Sequence, residues 1–298
     1  MKLLEIINGT LLGDASIECK EGKYYYYSLV SKSKEFLEWV KKFFLKYGIK
    51  PYILLNNYTS KVYMLGFYIN AGPYKELLHL RDKWYKEIKG KTVKVVPRDL
   101  ELTPTTLLFW YLGDGSLIRR RNDETRVPHI AFATNGFSKK DVKFLREKLK
   151  EIGLNFYIVK DRSLSGFRKK RRTSYLLYSC TQDETVFKFF KYIGDCPKEI
   201  ENCVIGNRGG KIRYFRDKWP YEEDWIKILS NVKEIGKILR ERRIELGYSQ
   251  SNLAKIAEIK RETLKNVELM ERRFGVKNLK KVLNTLKLNV KEILRKLF

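Results

Sequence analysis

A chain of 298 residues, 43% of them hydrophobic, can bury a large core, which argues against disorder and allows two or three domains. Lys and Arg number 62 against 35 Asp and Glu, and a net charge of +27 points to a polyanionic partner, nucleic acid above all. No stretch is apolar enough to span a bilayer, acidic residues interrupt the N-terminus too early for a signal peptide, and four cysteines (19, 180, 196 and 203) without a C-x-x-C pair, beside two histidines, argue against structural zinc.

In chain order, an apolar helix ending at Leu12 leads into strands over Ala15 to Cys19 and Tyr24 to Val30, with a turn at Glu21-Gly22. The tyrosine run 24 to 27 alternates two rings into the core and two outside, and is not read as a stacking platform. Ser33 is the expected N-cap of a helix from Lys34 to Tyr47, and Gly48 its C′ residue. Strands near Tyr52 to Asn56 and Val62 to Ile69 and a closing helix from Tyr74 to Tyr85 complete an αββαββα unit. Lys89 to Glu101 reads as a polar join. A second unit opens with Thr103-Pro104 as N-cap and first helical position, then strands near Ser116 to Arg120 and Ile130 to Thr134. Ser138 caps a helix from Lys139 to Ile152, closed by Gly153, and strands near Phe156 to Lys160 and Tyr175 to Cys180 precede a helix over Glu184 to Tyr192. Pro197 to Pro220 reads as an irregular connector, and the remainder as purely helical.

The two units share more than a pattern. Ile7-Asn8-Gly9-Thr10-Leu11-Leu12-Gly13-Asp14-Ala15-Ser16 and Leu107-Leu108-Phe109-Trp110-Tyr111-Leu112-Gly113-Asp114-Gly115-Ser116 both end an apolar helix in Gly-Asp-small-Ser, and the caps that follow recur at one offset. An Asp is a poor choice where the helix dipole already places negative charge. Two such ends brought together crowd two carboxylates against free carbonyls, so that without a cation one carboxyl is driven to protonate. Hard oxygen ligands of this kind suit Mg²⁺, which completes its shell with water and phosphate. Gly9 and Gly13 give the first helix a bare stripe, but Phe109 stands where the second copy would repeat Gly9, so close packing is expected at the Asp-bearing end rather than along the whole helix.

At these residues, with Leu102-Thr103-Pro104 and Ala133-Thr134-Asn135-Gly136-Phe137-Ser138, the chain resembles the LAGLIDADG homing endonucleases over roughly residues 1 to 195. The resemblance implies an α+β fold, a pseudo-twofold monomer whose two repeats form a saddle of antiparallel sheets on the DNA major groove. It implies that Asp14 and Asp114 hold Mg²⁺ or Mn²⁺ at the scissile phosphates, with Ca²⁺ a non-catalytic substitute, and that the carbonyls of Gly13 and Gly113 share in coordination. Cleavage of both strands across the minor groove, leaving short 3′ overhangs, is the implied outcome. The family often has a lysine near the end of each repeat's fourth strand. Here those positions hold Asn70 and Gln182, leaving Lys61, Lys160 and Arg172 as candidates.

Strand alternation puts Ser16, Glu18 and Lys20 on one side of the first sheet and Ser116, Ile118 and Arg120 on the matching side of the second, facing a duplex, with Ile17, Cys19 and Leu117 facing the core. Lys20 and Arg120 would reach guanine or phosphate, and Glu18 would accept from cytosine. The tips Arg119-Arg120-Arg121 and Arg168 to Arg172 are expected on phosphates.

Residues 232 to 298 resemble the repressor-type helix-turn-helix family, an all-α five-helix unit with Ser249 as N-cap after Leu246-Gly247-Tyr248 and a recognition helix over Ile259 to Leu269. By that resemblance Lys260, Arg261, Glu262 and Lys265 enter a major groove and Gln250 bonds phosphate. The expected organisation is a first repeat (1–88), linker (89–101), second repeat (102–196), connector (197–231) and helix-turn-helix domain (232–298). The expected function is Mg²⁺-dependent cutting of a long double-stranded DNA target by an intracellular, cytoplasmic or nucleoid-associated monomer without an obligate protein partner. The scarcity of Gln and Met fits a hot-adapted prokaryotic source. The rivals are a non-cleaving transcriptional regulator and an intron RNA maturase.

Overall fold

The computed structural model describes residues 2–20, 24–56, 62–69, 75–119, 123–161 and 174–298. The first repeat runs α1 (Leu3–Leu12), β1 (Ala15–Lys20), β2 (Tyr24–Ser31), α2 (Lys34–Lys46), β3 (Tyr52–Asn56), β4 (Val62–Tyr68), a 3₁₀ turn over Lys75–His79 and α3 (Leu80–Trp84). A hairpin, β5 (Tyr85–Ile88) and β6 (Lys91–Lys94), follows. The second repeat runs α4 (Pro104–Asp114), β7 (Gly115–Ile118), β8 (His129–Ala133), α5 (Lys139–Glu151), β9 (Phe156–Asp161), β10 (Ser174–Ser179) and α6 (Thr185–Ile193), and again a hairpin follows, β11 (Val204–Arg208) and β12 (Lys211–Tyr214), with a 3₁₀ turn over Phe215–Lys218. The C-terminal part is helical: α7 (Glu222–Leu229), α8 (Ile235–Glu245), α9 (Gln250–Ile256), α10 (Arg261–Glu268), α11 (Val276–Leu286) and α12 (Val290–Leu297).

The four-stranded sheets have equivalent orders, β1-β2-β4-β3 and β7-β8-β10-β9, so the duplication seen in the motifs extends to topology. The local chemistry is duplicated too. Ser33 Oγ accepts from the Phe36 N–H and Ser138 Oγ from the Asp141 N–H, each capping its helix. At the other ends Gly48 (φ 72°) and Gly153 (φ 78°) take the left-handed conformation, and the next amides, Ile49 and Leu154, bond back to Phe44 and Leu149.

Several expected elements differ. The helix expected over Tyr74 to Tyr85 is two short turns that end at Trp84, where Tyr85 begins a strand. The polar join contains β6, which pairs with β5 through Lys89-Gly90, both at positive φ as a tight two-residue hairpin turn requires. The irregular connector contains β11 and β12, joined through Gly209-Gly210 at φ 59° and 78°. The strand expected to reach Arg120 ends at Ile118.

The described chain divides into two compact units: 1–116 with 131–178 and 192–219, and 117–130 with 179–191 and 220–298. In the first, α1 and α4 pack together, and every α4 residue from Thr106 to Leu112 is buried, as a helix apolar on all sides must be. Trp39 of α2 stacks on Phe109, and Trp110 stacks on Phe132 of β8 at 3.9 Å between ring centres. In the second unit, Gly236 of α8 lies against α10 so closely that an added Cβ would meet the Val267 carbonyl oxygen. The buried Arg243 forks onto both carboxylate oxygens of Glu268, at 2.6 and 2.9 Å, and the Gln250 amide donates to the same carboxylate at 2.7 Å. Among the described residues no helix is long and apolar enough to cross a membrane.

Candidate active site

Asp14 follows α1 and Asp114 ends α4, so the contact between these helices decides whether the two acids meet. It brings them together. A Cβ added to Gly113 would lie 3.4 Å from the Gly13 Cα and 3.6 Å from Asp14 Oδ2, and one added to Gly13 would lie 3.5 Å from the Asp114 amide nitrogen. Burial raises the Asp114 carboxyl to about 7, helped by the Asp14 charge and opposed by Lys218 and Lys94. Burial raises Asp14 as well, against the same two lysines.

Those lysines are the residues that sequence reasoning missed. Lys94, from β6, donates to the Ala15 carbonyl at 2.7 Å and reaches that of Gly13 at 3.5 Å. Lys218, from the 3₁₀ turn after β12 and only 5% exposed, donates to the carbonyls of Tyr111, Leu112 and Gly113 at 3.1, 2.7 and 3.0 Å. Each ammonium therefore closes the carbonyl end of one motif helix and supplies the positive charge that end favours. Burial pulls both lysines down to about 8, although the two aspartates push them up. The two hairpins are equivalent additions to the two repeats. The signal was a glycine turn after each closing helix, with a lysine shortly before Pro97 or Pro220.

Two neighbouring carboxyls, one of them raised to about 7, form a donor pair that fits a hard divalent cation. No third His, Cys, Asp or Glu completes a cluster among the described residues, which leaves the other coordination positions to water and phosphate oxygens.

The other expected residues divide as follows. Ser16 is half-buried and shares a hydrogen bond with Ser28, Glu18 is exposed, and Ser116 and Ile118 are half-buried, while Ile17 and Leu117 face the core. Lys20 ends β1 opposite Tyr24. Lys61, Asn70, Arg120, Arg168 and Arg172 lie outside the described residues. Arg119, expected on phosphate, is instead bound at 2.6 Å to Asp224 and lies over the Tyr221 ring, so its charge is used internally. Lys160 is exposed, and the basic residues felt by the two acids are Lys94 and Lys218. In the second unit Ser249 caps α9 through the Asn252 N–H, and Lys260, Arg261, Glu262 and Lys265 are exposed on and before α10.

Residues 4–182, well over half the chain, match the LAGLIDADG DNA endonuclease family. The chain belongs to that family. Residues 239–293 match a helix-turn-helix family, which accounts for the helices α8 to α12. An uncharacterized protein of Methanocaldococcus jannaschii, MJ1098, is 33% identical over 178 residues, 57% of this chain and 65% of its own length. The cytochrome b mRNA maturase bI2 of Saccharomyces cerevisiae is 28% identical over 203 residues, 60% of this chain and 41% of its own length. The match thus spans less than two thirds of either relative. Among solved structures, the homing endonuclease I-WcaI bound to its DNA recognition sequence is similar at 21% identity and a TM-score of 0.47, over 63% of this chain and 79% of that one. I-DmoI in complex with DNA and Mn is similar at 15% identity and a TM-score of 0.38, over 63% and 94%.

Proposed function

We propose that this protein is a divalent-metal-dependent, site-specific homing endonuclease that hydrolyses both strands of a long double-stranded DNA target. The observation that carries the reading is the meeting of Asp14 and Asp114 at the crossing of α1 and α4, with a lysine hydrogen-bonded at each helix end. Asp14 and Asp114 hold the divalent ions, Mg²⁺ or Mn²⁺, with the carbonyls of Gly13 and Gly113 beside them. The bound cation supplies Lewis-acid neutralisation of charge at the scissile phosphate and a more acidic water. The chain's own contribution is positioning and proton handling. The packed helix ends fix the carboxylates relative to each other, and Lys94 and Lys218, with Nζ held at about 8, take or give a proton near neutral pH, one beside each strand.

The helix-turn-helix unit adds contact beyond the cleavage site through Lys260, Arg261, Glu262 and Lys265, and raises the effective concentration of the whole on its target; the Gln250 amide, expected on a phosphate, is bonded to Glu268 instead. Ser16, Glu18, Ser116 and Ile118 lie on the groove side of their sheets, and Lys20, Arg120, Arg168 and Arg172 add contacts to the DNA. The repeats read from the sequence as 1–88 and 102–196 carry the acids, the following segments 89–101 and 197–231 carry Lys94 and Lys218, and 232–298 carries the added contact. The protein acts as an intracellular monomer of a prokaryotic, hot-adapted source.

The test is a cutting assay on the DNA that flanks the gene, rejoined without it, with Mg²⁺ and then with Ca²⁺. Linear product with Mg²⁺ and binding without product with Ca²⁺ are expected. The yeast relative is an mRNA maturase, so intron RNA belongs in the assay as competitor; preferential binding of RNA without DNA cutting would replace this reading.

A further inference from the structure

β1 leaves Asp14 directly, and the side of the first sheet that continues from this acid is unlike a DNA-reading surface built on Arg and Lys. The pairing registers place Ser16, Ser28 and Gly66 in one row, and Glu18, Tyr26 and Tyr68 in the next. On the same side lie Tyr24, Val30, Tyr52, Leu54 and Met64. Leu54 is 51% exposed, Tyr24 49%, Tyr68 41% and Val30 37%. Among the described side chains of this face Glu18 is the one carboxylate, and Lys20, opposite Tyr24 at the end of β1 away from Asp14, is the one basic position in the paired strands.

The face is built. A Cβ on Gly66 would meet the Tyr26 ring, so the glycine lets that ring lie flat over the sheet, where Tyr68 meets it edge-on at 5.2 Å and Tyr52 approaches at 6.1 Å. Tyr26 is 2% exposed and offers no free ring face to a splayed-out base. The second sheet presents a similar surface on the side of Ser116. Ala133 pairs with Leu176 and Ala131 with Tyr178, and Tyr178 meets the exposed Tyr157 edge-on at 6.0 Å.

We propose that these two faces read thymine C5-methyl groups, and that the protein's target is A·T-rich in the segments flanking the cleavage centre. The inference rests on the nuclease reading, which puts a duplex on the side of the sheets continuous with Asp14 and Asp114. In the major groove the thymine methyl is the apolar feature that the base edges offer. Leu54, Val30, Met64 and Leu176 bury it favourably, whereas against cytosine N4 or guanine O6 they remove water and return no hydrogen bond. The tyrosine hydroxyls supply the few polar contacts that adenine N7 and thymine O4 require. Attraction and rejection therefore act in the same direction.

The test uses the full chain with Ca²⁺ to select sites from a randomised duplex library, followed by resynthesis of the selected site with deoxyuridine in place of thymidine. A·T enrichment on both sides of the centre is expected, with affinity falling about fourfold for each contacted methyl removed, and roughly tenfold or more in all. Leu54→Ala, on an exposed side chain, is expected to leave the fold intact and to shrink the ratio between thymidine and deoxyuridine sites. Selected sites rich in G·C, or equal affinity for both duplexes while Mg²⁺ still drives cutting, overturn the methyl reading and leave the nuclease standing. Failure to select any duplex, or preference for structured RNA, overturns both.

Discussion

Gly9 of α1 lies against Thr106 of α4 with no room for a side chain: a Cβ at Gly9 would sit 2.5 Å from the Thr106 carbonyl oxygen and 2.7 Å from the Phe109 Cβ. The helices are therefore tightest one turn before the acids, and Phe109, expected to hold them apart there, turns to stack on Trp39. Gly9→Ala is expected to cost about 2–4 kcal/mol in chemical denaturation, because neither helix backbone can give way inside a packed core. Gly113→Ala meets only atoms at 3.4 Å and beyond and favours the helix, so its stability is expected within about 1 kcal/mol of the parent. Its methyl lies 3.6 Å from Asp14 Oδ2 and takes space beside the two acids, so the cutting rate is the quantity that falls.

Lys218 answers three carbonyls at once. Lys218→Met removes that donor and is expected to destabilise the protein by about 1–3 kcal/mol, since unpaired buried carbonyls outweigh the gain from no longer burying a charge. It also removes a charge that holds the Asp114 carboxyl down, so the acid limb of the pH–rate profile moves to higher pH. Lys94→Gln shifts that limb in the same direction at a smaller cost in stability, because Lys94 is only half-buried. A purely structural lysine would lower stability and leave the profile in place.

With Asp114 raised to about 7, a divalent ion must displace a proton at any lower pH. Apparent Ca²⁺ affinity measured by calorimetry is expected to fall roughly tenfold per unit below that point. The linked effect on stability has a definite sign. Without metal, the folded protein binds more protons at Asp114 than the unfolded chain does between the ordinary aspartate value of 3.8 and about 7, so this group makes the fold less stable as pH rises through that window. Lys94 and Lys218, lowered from 10.5 to about 8, act oppositely, adding stability as pH rises from 8 to 10.5. The increase in Tm on adding Mg²⁺ is thus expected to be larger at pH 8 than at pH 6.

On the helix-turn-helix unit, Arg261 and Lys265 are exposed while the Arg243, Glu268 and Gln250 cluster holds α8, α9 and α10 together. Arg261→Ala and Lys265→Ala are expected to weaken DNA binding about three- to tenfold each and to reduce its salt dependence by about one counterion for each phosphate left without its cation. The single-turnover cutting rate at saturating protein should not change.

Much of the repeat was legible because its signals are local. Ser33 and Ser138 cap the next turn of chain, Gly48 and Gly153 take a backbone conformation that few other residues accept, and Asp14 and Asp114 sit where a helix end disfavours them. The two hairpins were hidden because their strands are only four or five residues long, and Lys91–Lys94 shows no alternation that differs from a polar linker. Lys94 and Lys218 were hidden for a further reason. Their partners lie 79 to 81 and 105 to 107 positions away, a relationship that only the closed fold creates. The expectation that Arg119 would meet phosphate failed similarly, because nothing near it in the chain announces Asp224.

If Asp14 and Asp114 serve the two strands from one shared site, neither acid can be spared. Asp14→Asn and Asp114→Asn, each assayed with Mg²⁺ on a supercoiled plasmid carrying the target, measure this most directly: loss of linear product with DNA binding retained is the predicted result. Undiminished double-strand cutting by either variant would contradict it.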